Sequence, residues 1–442
     1  MNFNDAGVFA CCEEPISCRL FAVGDVIPGG RTEEYFRTGN LQKMLGETKQ
    51  LFTKADFVLF NLETPLCLQG SPIPKCGGNH RAHPDCAYGL KSAGFNVAAL
   101  ANNHILDYGR QGLTETLSAL DGAGIAHHGA GNSPEEATKP LQIKSGDLRI
   151  TFLNFAEGEF SSIESGSGSG AATIDLMANS SSIRQARASS DLVIVSVHAG
   201  NEYQHFPSPW IQRLYRSYIE LGADAVIAHH PHIPQGIEFY NNRVIVYSLG
   251  DFMFEFLNDP GTRITFALEI QFTKKEIKSV HIHPMRKADD GGMVFLLEKE
   301  KQLFVHHMNS LSDPLNRPDK LEILYSQGIL KRFETFYSGK LKQNLPLSLS
   351  KKKQKDLAAA FMLNMFNCPS HIEALRTVFS MLHEGRYGRD TAVQRIISEL
   401  NYNLETLGRH RMPELGSVNQ AWTGFFPRLA KRIAHRMLFV NR

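Results

Sequence analysis

The stretch Val97-Ala98-Ala99-Leu100-Ala101-Asn102-Asn103-His104-Ile105-Leu106-Asp107-Tyr108-Gly109 passes from an apolar run straight into amides, an imidazole and a carboxylate. An apolar run without alternation suits a strand covered on both faces. Polar residues just beyond such a strand lie where the loops of an open α/β sheet converge on a ligand crevice. The arrangement recurs along the chain. Leu20-Phe21-Ala22-Val23 leads into Gly24-Asp25 and then Gly29-Gly30-Arg31, and Phe57-Val58-Leu59-Phe60 leads into Asn61-Leu62-Glu63. Leu192-Val193-Ile194-Val195 precedes His198-Ala199-Gly200-Asn201-Glu202-Tyr203, and Ala225-Val226-Ile227 precedes His229-His230-Pro231-His232. Further strands are predicted at 150–153, 244–247 and, with clear alternation, 264–270. Helix-like stretches separate them, so the first two thirds of the chain reads as an α/β layered sandwich.

Beyond about residue 310 the texture changes. Residues 318–336, 355–366, 371–382 and 391–404 carry helical spacing, as in Ile372, Leu375, Phe379 and Leu382, and no strand alternation appears. The chain therefore divides into a domain over 18–305 and a helical region over 310–442, with a Gly/Ser-rich surface loop at 161–170. The apolar stripes of the helices read as core and carry no chemistry of their own.

Composition excludes several classes. The chain has 442 residues, 42% apolar and 21% charged, which is ordinary globular composition. Its 47 Lys+Arg nearly balance 45 Asp+Glu, which gives no reason to expect nucleic acid as a partner. No apolar run reaches the ~18–20 residues of a membrane span, and the amino end lacks the basic and apolar segments of a secretory signal. A cytoplasmic protein is expected. Its seven cysteines, an odd number without a CxxC pair, are read as reduced thiols. From Arg409 onward there are seven Lys/Arg and one acid, Glu414, with Phe425, Phe426, Leu429, Ile433, Met437 and Val440 at roughly helical spacing. Such a basic amphipathic segment has two readings: a helix docked on its neighbours, or peripheral contact with the inner membrane face.

The residues after the strands carry the chemistry. Carboxylate, amide oxygen and imidazole together suit one or two divalent ions such as Mn, Zn or Fe. A lone histidine or a Gly-Asp pair is weak; five polar clusters at one topological position point to a metal site. By contrast His127-His128 and His306-His307 have no partners at ligand spacing and are read as structural, and Lys351-Lys352-Lys353 as a solvated helix start.

Taken together, these blocks give a sequence that resembles the CapA family of capsule and poly-γ-glutamate biosynthesis proteins. The resemblance is carried by residues 21–25, 61–66, 100–109, 198–203 and 222–232, together with Tyr247-Ser248-Leu249-Gly250-Asp251-Phe252. It covers roughly residues 18–300. It implies a calcineurin-like metallophosphoesterase fold, a two-sheet sandwich flanked by helices. It further implies a first metal on Asp25 and His232, a second on Asn103, His198 and His230, and Glu63 between them. His104 would act as acid or charge stabiliser, oriented by Asp107, with water as nucleophile. Arg31 matches the family's arginine after the glycines and would clamp an anionic group, unless it is a solvated loop residue. An anionic polymer or phosphorylated precursor is the implied partner.

The departures bear on activity. Position 27 is Ile where the superfamily has a histidine ligand, Glu63 replaces a shorter Asp, and Asp251 stands where the family usually has Asn. Asp251 is then either an added ligand or a loop acid. Three functions are compatible with the pattern: a metal-dependent hydrolase or transferase of phosphoester or polymer bonds, a non-catalytic polymer-tethering subunit with a degenerate site, or a peripheral membrane scaffold.

Overall fold

Alternate residues of the first long strand, β1 (Cys18–Val26), belong to two different cores. Leu20 and Ala22 pack with Phe152 and Ile194, while Phe21 and Val23 pack with Phe36 and Phe52. This explains the unbroken apolar run: both faces of the strand are covered, so neither needs polar residues. A computed structural model describes residues 2–75, 77–161, 168–254, 260–344, 352–386 and 388–409. The carboxyl-terminal basic segment and most of the Gly/Ser-rich loop lie outside them, as do Lys351 and Cys76.

Among the described residues β1 lies near the middle of a nine-stranded mixed sheet. Beside it run β2 (Phe57–Leu62) and then β3 (Val97–Ala99), all parallel, with antiparallel strands Ile264–Phe272 and Ile277–Lys287 on the other side. A second sheet of six strands carries β4 (Leu148–Ala156), β5 (Leu192–His198) and β6 (Ala225–His229) as parallel neighbours. The apolar cluster between the sheets draws on both, from Leu59 and Val97 in one to Val195 and Ile227 in the other. The α/β two-sheet sandwich flanked by helices is thus the architecture the chain builds.

A helix that the spacing did not announce, α1 (Glu298–Ser312), comes first, and the four that it did then form: α2 (Pro318–Arg332), α3 (Lys352–Asn367), α4 (Pro369–His383) and α5 (Thr391–Arg409). In α5, Val393, Ile397, Leu400, Leu404 and Leu407 recur on one face, and all five are buried in the apolar cluster that is continuous with the core between the sheets. Leu311, Leu321 and Leu324 do the same from α1 and α2. Residues 1–409 accordingly form one compact unit. A third apolar cluster, including Tyr325, Tyr337, Phe361 and Val378, holds α2, α3 and α4 together. His306 and His307 fall within α1. His307 is fully buried, and burial pushes its pKa down to about 3, as expected of a structural histidine. The six described cysteines are free, and no helix among the described residues is long and apolar enough to cross a membrane.

One close approach sets the geometry at the end of β1. The pairing of β1 with β2 slips between Val23 and Asp25, leaving Gly24 as a bulge. A Cβ on Gly24 would lie 1.8 Å from the carbonyl oxygen of Gly250, so only glycine lets the 249–251 loop close on β1. The Asp25 amide then donates to the Gly250 carbonyl (3.1 Å), and β7 (Asp251–Met253) pairs in parallel with β1, Asp251 beside Asp25. Gly24→Ala is therefore expected to lower unfolding stability by about 1–3 kcal/mol through forced backbone displacement. Gly339→Ala, on an open helical surface, serves as the control and is expected to be neutral or slightly stabilising. Denaturant unfolding checks both; equal midpoints for Gly24→Ala and the wild type would contradict the close-approach argument.

Candidate metal centre

The ends of β1, β2, β5 and β6, with the start of β7 and the loop after β3, bring seven of the polar residues into two contiguous groups. In one, Asp25, Asp251 and His232 offer ligand atoms all within 4.8 Å of one another, and in the other Glu63, His198 and His230 do the same; all six are buried. His232 Nδ1 lies 2.8 Å from Asp251 Oδ1 and 3.5 Å from Asp25 Oδ2. Around His198 Nε2 stand His230 Nδ1 at 3.0 Å, Asn103 Oδ1 at 3.1 Å and Glu63 Oε1 at 3.5 Å. Asp251 is therefore part of the site and not a loop acid, and with it the first group has three donors despite Ile27.

Backbone conformation delivers the imidazoles. His230 and His232 flank Pro231 with φ of +98° and +61°, a left-handed region that non-glycine residues rarely enter. With these conformations one imidazole stands in each group. Amides fix the walls: Asn61 Nδ2 donates to Asp25 Oδ1 (2.8 Å), while Asn102 Nδ2 donates to the Asn61 side chain (3.1 Å) and the Leu62 carbonyl (2.8 Å).

The charges explain why such a group of residues suits a cation. Burial pushes the Glu63 carboxyl well above its ordinary range, and the nearby Asp25 adds to the push. Both Glu63 oxygens are buried without a hydrogen-bond partner. An unpartnered buried carboxyl costs several kcal/mol if charged, and a coordinated cation removes that cost. Burial also opposes ionisation of Asp25, but hydrogen bonds from His229 and His232 outweigh it and hold the carboxyl well below the usual range. Burial disfavours a charged His232 as well, yet Asp251, Glu63 and Asp25 around it raise its pKa well above the ordinary value. His198 and His230 are held neutral by burial, the state in which imidazole ligates. The donor set of three carboxylates, three imidazoles and an amide fits divalent cations.

Beside these groups stands His104. Its Nδ1 lies 2.7 Å from Asp107 Oδ2 and 3.0 Å from Lys75 Nζ, and Lys75 also bonds Asp107 Oδ1. The His80 amide donates to Asp107 Oδ2 (2.6 Å), so the orienting carboxylate is held from three sides. Arg31 is exposed, on the short turn Gly30–Thr32, and its Nη1 donates to the Asp289 carbonyl (2.9 Å).

Comparison with known proteins agrees with the motifs. Residues 19–255 match the family model described as bacterial capsule synthesis protein PGA_cap.

The chain belongs to that family.

The capsule biosynthesis protein CapA of Bacillus anthracis is 30% identical over 241 residues, 53% of this chain and 59% of the relative. The PGA biosynthesis protein CapA of Bacillus subtilis is 30% identical over 277 residues, 60% of this chain and 72% of the relative. The chain thus spans between about half and three quarters of the relatives it matches. Among solved structures, a 5′-nucleotidase assignment from Staphylococcus aureus superposes with a TM-score of 0.40 at 14% identity, covering 65% of this chain and 58% of that one. The NAD nucleotidase of Haemophilus influenzae superposes with a TM-score of 0.37 at 13% identity, covering 65% and 55%.

Several polar residues of the site are not legible from the sequence. Lys75 comes from the loop before α-helix Cys86–Ser92, with no motif around it; Lys287, from the end of a long antiparallel strand, places Nζ 3.5 Å from Asp251 Oδ2. His229, the last residue of β6, opens the histidine run without ligand spacing of its own, yet its Nδ1 is 3.2 Å from Asp25 Oδ1. The metal content of purified protein tests the ligand assignment. His230→Ala is expected to lose bound metal that wild type retains, because His230 and His198 share one group, and Asp25→Ala is expected to lose metal to a smaller degree. Elemental analysis showing a full complement in His230→Ala would overturn the assignment.

Proposed function

We propose that this family member is a metal-dependent hydrolase or transferase acting on a phosphoester or related polymer bond in the making of a cell-surface polymer. The observation that carries the reading is the pair of buried donor groups around the unpartnered Glu63 carboxyl. The names of the relatives supply the process, capsule or PGA biosynthesis, and an anionic polymer or phosphorylated precursor is the partner chemistry that suits it. Asp25, Asp251 and His232 would hold one ion, and Glu63, Asn103, His198 and His230 a second. Divalent ions at such a site polarise an oxygen of the scissile group and make water nucleophilic at neutral pH.

The chain's own residues supply the proton chemistry. Asp107 Oδ2 and Lys75 Nζ both lie within hydrogen-bond reach of His104 Nδ1, which leaves Nε2 as the atom to give or take a proton. Burial holds the imidazole well below its ordinary pKa, and the Lys75 ammonium pushes the same way. Asp107 counters by fixing the ring and stabilising any positive charge that forms on it. Lys75 is itself buried, which lowers its pKa against the pull of Asp107.

A second reading, a tethering subunit with a degenerate site, has one observation in its favour. The buried Lys287 ammonium lies beside Asp251, where it already neutralises part of the first donor group. His104→Ala separates the two. On the catalytic reading it loses turnover of a phosphodiester substrate by about 10²–10⁴-fold while metal content and melting midpoint stay at wild-type values. A wild-type protein without turnover on phosphodiester or polymer substrates would favour the tethering reading, and loss of metal in His104→Ala would make His104 a ligand.

A further inference from the structure

The start of α4 meets the loop after β4 through three unlike donors. Cys368 stands directly before α4 and is buried, and His371 lies in the first turn of that helix. Glu159 faces them from the loop that leaves β4. Ligand atoms of these three residues all lie within 4.8 Å of one another. None of the three belongs to the donor groups around Glu63, and the two helical residues fall outside the family-matched stretch 19–255.

The separations are those of ligands around a small ion. His371 Nε2 and Glu159 Oε1 are 3.4 Å apart. Two donors each ~2.0–2.1 Å from a tetrahedral zinc ion are separated by ~3.3 Å. As a direct hydrogen bond 3.4 Å is long, since N–H···O contacts cluster at about 2.9–3.0 Å. The other ring nitrogen of His371, Nδ1, lies 2.8 Å from the Tyr337 hydroxyl oxygen. An Nδ1–H donated to that oxygen leaves the Nε2 lone pair toward Glu159, and metal-ligating histidines are held by such a bond at the second nitrogen. A fourth donor stands beside them. Asn364 of α3 is only 8% exposed, and its side-chain oxygen is buried without a hydrogen-bond partner among the described residues. Its Nδ2 lies 3.5 Å from Glu159 Oε1, beyond the normal bond length, so neither end of the amide is well paired. The two ends have nearly the same shape, and a half turn of the amide brings the oxygen to the Glu159 side.

We propose that Glu159, Cys368, His371 and the Asn364 oxygen form a structural Zn²⁺ site that ties α3 and α4 to the loop after β4. Thiolate, imidazole, carboxylate and amide oxygen together suit Zn²⁺, and four protein donors close its coordination. The cysteine ligates as thiolate, so binding displaces its proton. Glu157 Oε2, 3.0 Å from Cys368 Sγ, stands to accept that proton, while Ser370 Oγ donates to Glu157 Oε1 (2.5 Å). The site is independent of the donor groups around Glu63, which contain no sulfur.

Co²⁺ titration of the metal-free full chain, followed by near-ultraviolet absorption, tests the proposal. Co²⁺ takes the place of Zn²⁺ in tetrahedral sites, and a thiolate ligand gives it a charge-transfer band that imidazole and carboxylate ligands do not. Wild type is expected to develop this band to a limit of one sulfur-bound Co²⁺ per chain, and added Zn²⁺ to bleach it. Cys368→Ser is expected to lose the band, and His230→Ala to keep it. Even an outer partner of a ligand is worth about 10–100-fold in affinity, so His371→Ala is expected to weaken Co²⁺ binding at the band by at least that much. Zn²⁺ is expected to raise the melting midpoint of wild type more than that of Cys368→Ser. If Cys368→Ser does not fold, His371→Ala carries the test by the same criterion. A wild type without the band, a band unchanged in Cys368→Ser, or Co²⁺ affinity unchanged in His371→Ala overturns the proposal. A band lost in His230→Ala overturns it as well, by placing the sulfur-bound ion in the group around Glu63.

Discussion

A carboxyl group shut away from water, with neither oxygen hydrogen-bonded, is the constraint around which the rest of this structure is arranged. Glu63 stands at the end of β2, fully buried, with Asp25 and Asp251 close enough to repel its charge. Such a group settles in one of two ways: it keeps a proton or it meets a cation. Without an ion, burial raises the Glu63 carboxyl well above its ordinary range, and Asp25 beside it adds to the push. A divalent ion displaces protons from ligands that bind it, so its affinity follows pH and its binding adds to folding stability.

The scaffold is shaped to keep these residues together at some cost. The Gly24 bulge and the Gly250 carbonyl set two carboxylates side by side on adjacent strands, and the left-handed His230 and His232 turn their rings into separate groups. Backbone strain of that kind costs about 1–3 kcal/mol per residue and persists where surrounding packing over-determines it. Here the packing includes the late helices, whose apolar faces are continuous with the core of the sandwich.

Much of this was legible in the sequence, for physical reasons. Strands buried on both faces leave unbroken apolar runs, and ligand residues of such sheets come just after the strand ends; Asp25, Glu63, Asn103, His198, His230 and His232 all announce themselves by position. His104 and Asp107 do so by their spacing of three. The sequence left Asp251 open between ligand and loop acid, because only the pairing of β7 with β1 decides it. Lys75, Lys287, Glu159 and His371 carry no local signal. Each gains meaning from a contact across tens to hundreds of residues, which periodicity does not encode. The helical stripes likewise reveal a buried face without revealing what covers it, so their packing against the sandwich emerges only in three dimensions.

The most direct test of the account is the melting midpoint of metal-stripped wild type and Glu63→Gln, each with and without added Mn²⁺. Gln keeps the shape of Glu63 and removes the charge that calls for a cation. The account predicts that Glu63→Gln melts no lower than wild type in the metal-free state, and that Mn²⁺ raises the midpoint of wild type much more than that of the variant. A metal-free Glu63→Gln that is clearly destabilised, yet gains as much from Mn²⁺ as wild type does, would contradict it.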